Sequence, residues 1–182
     1  NLVAEYTVNY KKTHSQTLLP MLDEIVKMIG FDMEEIDAIA VAAGPGSFTG
    51  LRIGSATAKG LGLALKKPIV AVPTVDALAY NLYGSDKIIC PLMDARRNQV
   101  YTGLYEFVRE EQKAAYEMTH LVAQCAVDIQ EIADQINEFG REVIFLGDGV
   151  SVFAEKLADI INVPYSFAPA CCNRQRAACV AT

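Results

Sequence analysis

Ile39-Ala40-Val41-Ala42-Ala43-Gly44-Pro45-Gly46-Ser47-Phe48-Thr49-Gly50-Leu51-Arg52-Ile53-Gly54 is the stretch from which the fold is read. Its first half continues Ile36 to Ala43, a short and nearly unbroken apolar run of the kind buried strands show. A glycine-rich turn, Gly44 to Gly50, leads into a predicted helix from Leu51 to Leu65, which Lys66-Lys67-Pro68 ends with two cations set against the helix dipole. Ile69 to Val72 reads as a second buried strand, and Thr74 can cap a helix from Val75 to Tyr83 closed by Gly84. Upstream, Leu2 to Val8 alternates like a strand. Thr13 and Ser15 offer hydroxyl caps for a helix over Gln16 to Ile29, with Pro20 in its first turns and Gly30 as its stop. Leu18, Leu22, Ile25 and Ile29 form its apolar stripe, widened by Leu19 and Val26. Strand and helix thus alternate three times, which predicts parallel strands with crossover helices.

The pattern then changes. Ile88 to Met93 and Val100 to Phe107 flank the polar run Asp94-Ala95-Arg96-Arg97-Asn98-Gln99, too short for a helix, so a hairpin is expected. This change marks the expected boundary between two lobes, residues 1–93 and 94–182. Arg109 to Gln124 gives no clear reading. Asp128 caps a predicted helix over Ile129 to Phe139, and Glu142 to Leu146 is a short strand. Gly147-Asp148-Gly149 turns into a helix over Ser151 to Ile161, Val163 to Ala168 is a last strand, and Asn173 opens an incomplete helix.

Two features could carry function. The turns at Gly44, Gly46 and Ser47 and at Gly147, Asp148 and Gly149 could present backbone N–H groups to an anion or nucleotide, or could simply be tight turns. Neither is a P-loop or a dinucleotide fingerprint, and Ser47 is not in a nucleophile elbow. Gly50, Gly54, Ala58 and Gly62 recur every fourth residue, leaving one helix face almost bare. That face either packs on the chain's own sheet or receives a helix of another subunit. Asp94, Arg96 and Arg97 form either a solvated turn or an anion contact. His14 and His120 belong to no metal-binding pair, and no nucleophile–base–orienter set emerges. No catalytic residue, metal or cofactor is expected.

Composition limits the partners. The 182 residues carry a formal charge of −6, which argues against unassisted grip on nucleic acid. No stretch approaches the ~18 uninterrupted apolar residues of a membrane-spanning helix. Five cysteines in no framework spacing predict reduced thiols in a cytoplasmic protein.

The Ile39–Gly54 run strongly resembles the signature of the bacterial TsaB (YeaZ) family. His14-Ser15 with Leu18-Leu19-Pro20, Asp94-Ala95-Arg96-Arg97 with Val100-Tyr101, Gly147-Asp148-Gly149 and Asn173-Arg174-Gln175-Arg176-Ala177-Ala178 follow in family order. The resemblance implies an actin-like, Hsp70-like (ASKHA) α/β fold of two lobes, with mixed sheets flanked by helices. It also implies a role in making N6-threonylcarbamoyladenosine at position 37 of tRNAs that read codons beginning with adenine. Such proteins resemble TsaD, the threonylcarbamoyl transferase, but are non-catalytic. They bind TsaD through N-lobe helices, are joined by the ATPase TsaE, meet tRNA only through the complex, and form homodimers through a similar surface. Carried onto this chain, the implied interface comprises His14, Leu18, Leu22, Ile25, Gly50, Gly54, Ala58 and Gly62. TsaD-like proteins use an H-x-x-x-H metal pair that this sequence lacks, which argues against transfer or peptidase chemistry. The competing reading is an ATP-using enzyme of the same fold class, motivated by the two glycine turns. The family usually opens with a strand–turn–strand containing Asp-Thr-Ser. Here that hairpin is absent or reduced to Leu2–Val8, and the chain stops at Thr182 inside a family helix, so missing terminal segments are expected.

Overall fold

The computed structural model describes residues 2–8, 14–110 and 113–182, and the backbone alone of His14 and Ser15. It divides into two compact units, residues 1–74 with 176–182, and residues 75–175. The division falls between Thr74 and Val75 rather than at 93/94, because Ile88–Pro91 and Met93–Arg96 are strands of one sheet.

In the first unit, helix α1 (His14–Ile29) begins two residues earlier than Gln16 and runs through Pro20. The expected cap at Thr13 lies outside the described residues. At the other end Gly30 takes φ +63°, and the Phe31 N–H reaches back to the Val26 carbonyl at 3.2 Å, closing the helix as glycine at this position typically does. Strand β1 (Ile39–Gly44), helix α2 (Phe48–Leu65) and strand β2 (Ile69–Pro73) form a strand–helix–strand unit. The two strands are parallel, with Ile39 opposite Ile69 and Ala42 opposite Val72. The Ser47 Oγ caps α2 by accepting from the Gly50 N–H.

Two expectations change here. Residues 2–8 form no strand, since this sheet consists of β1 and β2 alone and alternation without a neighbouring ladder does not make one. Neither strand is buried as expected: no residue of β1 is fully buried, and Ile69 and Val70 of β2 are 40% and 49% exposed.

The second unit carries a six-stranded sheet in the order β4 (Met93–Arg96), β5 (Gln99–Glu110), β3 (Ile88–Pro91), β7 (Val143–Leu146), β8 (Tyr165–Phe167), with β6 (Ala115–Asp128) also paired to β5. Strands β3, β7 and β8 are parallel, while β5 runs antiparallel to β3, β4 and β6. Alternation assigns the two faces. Ile88, Cys90, Leu104 and Phe145 meet helices α4 (Ile129–Phe139) and α5 (Val150–Ile160), whereas Ile89, Tyr105 and Leu146 meet Val75 and Leu78 of α3 (Thr74–Ala79). The sequence-predicted Asp128 cap is in place, accepting from the Gln130 N–H at 2.8 Å. The hairpin between β4 and β5 turns at Arg97 and Asn98, both with positive φ, as two-residue hairpin loops require. Helix α6 (Ala177–Val180) returns the chain to the first unit. Among the described residues no helix is long and apolar enough to cross a membrane.

Candidate functional site

The two glycine turns are occupied by the chain's own acceptors. The Gly44 N–H donates to Thr74 Oγ1 at 3.1 Å, and the Gly50 N–H to Ser47 Oγ at 3.4 Å. In the second unit the Gly147 N–H donates to Asn173 Oδ1 at 3.3 Å, and the Gly149 N–H to the Leu92 carbonyl at 2.9 Å. Glycine is required at 147 because φ is +106° and a Cβ there would collide with the Leu92 carbonyl. These four donors are therefore structural, which removes the geometric basis for anion binding at Gly44, Gly147 and Gly149. Gly46 packs beside Leu51, Ser47 is the helix cap, and Asp148 gives its carbonyl to the Ser151 hydroxyl.

The bare face of α2 packs in part on its own unit. A Cβ on Gly54 would face Val41 of β1, and one on Gly62 would lie 3.0 Å from Ile69 of β2, while Gly50 faces its own cap. Ala58 and Gly62 are buried. The four-residue spacing lets α2 lie close on the β1–β2 sheet of its own unit. It does not by itself make a surface for another subunit.

Helix α1 is one of the elements open to a neighbour. No described side chain of this helix is buried. Leu18, Leu19 and Met28 are 36%, 52% and 76% exposed, and Leu22 and Ile25 are half-buried. The His14 side chain lies outside the described residues. An apolar groove of about 540 Å³ continues this surface, lined by Leu2, Val3, Ile25, Ile29, Phe31 and Ala181. A second groove of about 730 Å³ runs between α2 and the sheet, lined by Val41, Phe48, Leu51, Ala58, Ile69 and Ala71.

Titratable groups gather once in a way the sequence hid. The Tyr105 hydroxyl donates to Asp76 Oδ1 at 2.7 Å, and His120 Nε2 lies 3.1 Å from Asp76 Oδ2. Burial, and then the bond to Asp76, push the Tyr105 phenol far above its usual range. The β5–β6 register sets Tyr105 opposite His120, and the packing of α3 on that face of the sheet brings Asp76, 29 residues before Tyr105, to both. A fully buried Tyr105 anchors an Asp–His pair here. Asp94 accepts from the Arg96 N–H at 2.8 Å and so braces the exposed hairpin tip, the solvated-turn reading of that cluster. Among the described residues no group of three or more His, Cys, Asp or Glu is placed to hold a metal.

With that geometry in hand, comparison with known proteins is specific. Over residues 1–182 the chain matches the family described as "TsaD: tRNA N6-adenosine threonylcarbamoyltransferase", which defines its class. It is 34% identical over 161 residues to the tRNA threonylcarbamoyladenosine biosynthesis protein TsaB of Bacillus subtilis, a match covering 88% of this chain and 68% of that protein. The TsaB proteins of Haemophilus influenzae and Escherichia coli are 34% and 36% identical over 58% and 52% of this chain. Those matches span 45% and 42% of the two relatives' own lengths. The solved structure of YeaZ from Pseudomonas aeruginosa superposes with a TM-score of 0.68 and 26% identity, covering 87% of this chain and 70% of that one. The chain belongs to the TsaB family, and its fold is of the actin-like α/β class that the sequence resemblance implies.

Proposed function

We propose that this chain is a non-catalytic accessory subunit in the formation of N6-threonylcarbamoyladenosine in tRNA, docking a TsaD-like transferase through α1. The observation that carries this reading is the match to a named TsaB protein over 88% of the chain. The exposed stripe of Leu18 and Leu19, with Leu22 and Ile25 half-buried beside it, supports α1 as the docking element, since apolar side chains left in water gain most by being covered. A TsaE-like ATPase joins the assembly, and a homodimer uses a similar surface. The charge of −6 fits a scaffold that meets tRNA only through the complex. The ATP-using alternative loses support because the donors at Gly44, Gly147 and Gly149 are spent within the chain.

Mixing the chain with a TsaD-like subunit and measuring mass by light scattering tests the docking. A stable heteromer is expected, and Leu18→Asp with Leu19→Asp should weaken it at least about tenfold, roughly 1.4 kcal/mol. Because both side chains are exposed, the isolated variant should keep its melting temperature. Unchanged binding by the double variant overturns α1 as the docking element. Turnover of ATP by the isolated chain overturns the non-catalytic assignment.

A further inference from the structure

From Ala38 to Val75 the sequence holds no Asp or Glu, yet Arg52, Lys59, Lys66 and Lys67 fall within it, in a chain whose total charge is −6. Lys66 and Lys67 have a local reason, since cations at a helix C-terminus offset its dipole. Arg52 and Lys59 stand in the body of α2, where that end effect has died away. Among the described residues no carboxylate lies within ion-pair distance of either. Both are exposed, on the side of α2 turned away from Gly54 and Ala58.

The same side leaves two large apolar residues in water: Phe48 is 69% exposed and Leu63 83%. Phe48, Arg52, Lys59 and Leu63 follow at steps of four, seven and four residues, which an α-helix sets in one narrow strip along its surface. The Arg52 guanidinium sits 3.9 Å from the centre of the Phe48 ring, which holds that cation at the apolar end of the strip. At 1.5 Å per residue, Arg52 and Lys59 are about 10.5 Å apart along the axis. Both also line the groove of about 730 Å³ beside α2, together with Val41, Leu51 and Ile69. Two unpaired cations thus border an uncovered apolar surface.

We propose that this strip of α2 docks an acidic amphipathic helix of a partner protein. That helix carries two carboxylates seven residues apart, with an apolar side chain four residues outside each. Lying alongside α2, it repeats the interval of about 10.5 Å, sets one carboxylate at Arg52 and one at Lys59, and covers Phe48 and Leu63. An extended strand fits worse. At about 3.3 Å per residue the interval is roughly three residues, and side chains three apart in a strand point to opposite faces. A nucleic-acid backbone would engage the cations but offers Leu63 nothing apolar to cover it. The proposal stands apart from α1 as a docking element, so either can fail alone.

The test is a nuclear magnetic resonance titration of the isotopically labelled 182-residue chain with three probes. The first is a stapled helical peptide whose two Glu stand seven residues apart, with a Leu four residues outside each. The second replaces both Glu with Lys, and the third is a short oligothymidylate. The Glu peptide should shift the amides of Phe48, Arg52, Lys59 and Leu63, less so in high salt, and the Lys peptide should not. Arg52→Glu with Lys59→Glu should invert that preference by at least about tenfold, with the melting temperature unchanged because both side chains are exposed. Equal shifts with the two peptides, shifts that fall away from α2, or none at millimolar peptide overturn the proposal. So does oligothymidylate moving the same amides more strongly than the Glu peptide, which would assign the strip to phosphate.

Discussion

Between Val75 and Gln175 both faces of a six-stranded sheet are covered, one by α4 and α5 and the other by α3, and residues such as Ile132, Leu104, Phe145 and Leu157 are wholly enclosed. In the first unit the two-stranded sheet has one helix packed close on it, and Ala58, Gly62 and Thr74 are the buried residues among those described. The sequences of the two units are comparably apolar, so the difference lies in what each chain segment has to cover it. A parallel strand pair needs layers on its faces before its apolar residues leave water. The second unit supplies those layers from its own helices. The first leaves α1, β2, residues 2–4 and Phe48 and Leu63 of α2 with apolar side chains in solvent.

The contrast breaks most directly at single buried side chains. Ile132→Ala, inside the α4 face, should cost about 2–5 kcal/mol by lost transfer energy and cavity formation. Leu19→Ala, on a side chain 52% exposed, should stay within about 0.5 kcal/mol. Urea unfolding of the isolated chain compares the two. Equal costs would mean that α1 is covered in solution.

Helix α2 offers a sharper comparison within one element. A side chain at Gly62 meets Ile69 at 3.0 Å and the Lys67 carbonyl at 3.2 Å, so Gly62→Leu should cost about 1–3 kcal/mol by overpacking, visible as lost amide protection in β2. Gly60, exposed on the same helix with nothing near its missing Cβ, should instead gain up to about 1 kcal/mol as Gly60→Ala. If Gly62→Leu leaves the isolated chain unchanged, the small residues are free of the sheet and the docking reading of that face returns.

These residues also mark how far the sequence could be read. Asp128 and Gly30 act within a few positions of themselves, so the start of α4 and the end of α1 are legible from local chemistry, whereas α2, expected from Leu51, begins at Phe48 behind a Ser47 cap that the glycine-rich turn concealed. Strand β6 was not legible, because its alternation is diluted by Glu117, His120 and Gln124 and, among the described residues, it pairs with β5 alone. The spacing of Gly50, Gly54, Ala58 and Gly62 correctly signalled close approach. It could not say by what, since Val41 and Ile69 are as near in sequence as any outside partner is unknown to it. The glycine turns misled for a related reason: their acceptors, Thr74 and Asn173, lie 30 and 26 residues away. The Asp76–His120 pair likewise needs the fold to be seen.

The smallest effect concerns how residues 2–8 are held without a sheet. Glu5 accepts from Arg176 Nη2 and Nε at 2.6 and 3.1 Å, and from the Ala178 N–H at 3.1 Å. The side-chain bonds from Arg176, followed by the backbone bond from Ala178, hold the Glu5 carboxyl below its usual range. A carboxyl lowered by folding contributes fully above the unfolded value of about 4.3, and loses its contribution as pH falls through the lower folded value. The tether should therefore be intact at neutral pH and release only in acid, below the ordinary carboxylate range. Arg176 is half-exposed, so its worth is at most about 1 kcal/mol and should shrink in salt. Glu5→Gln should raise amide exchange at Ala178 at pH 7 to the level the unaltered chain reaches in acid, with little change in global unfolding. Exchange at Ala178 that ignores both the substitution and the pH would show that the apolar contacts of Leu2 and Val3, rather than this ion pair, keep the segment in place.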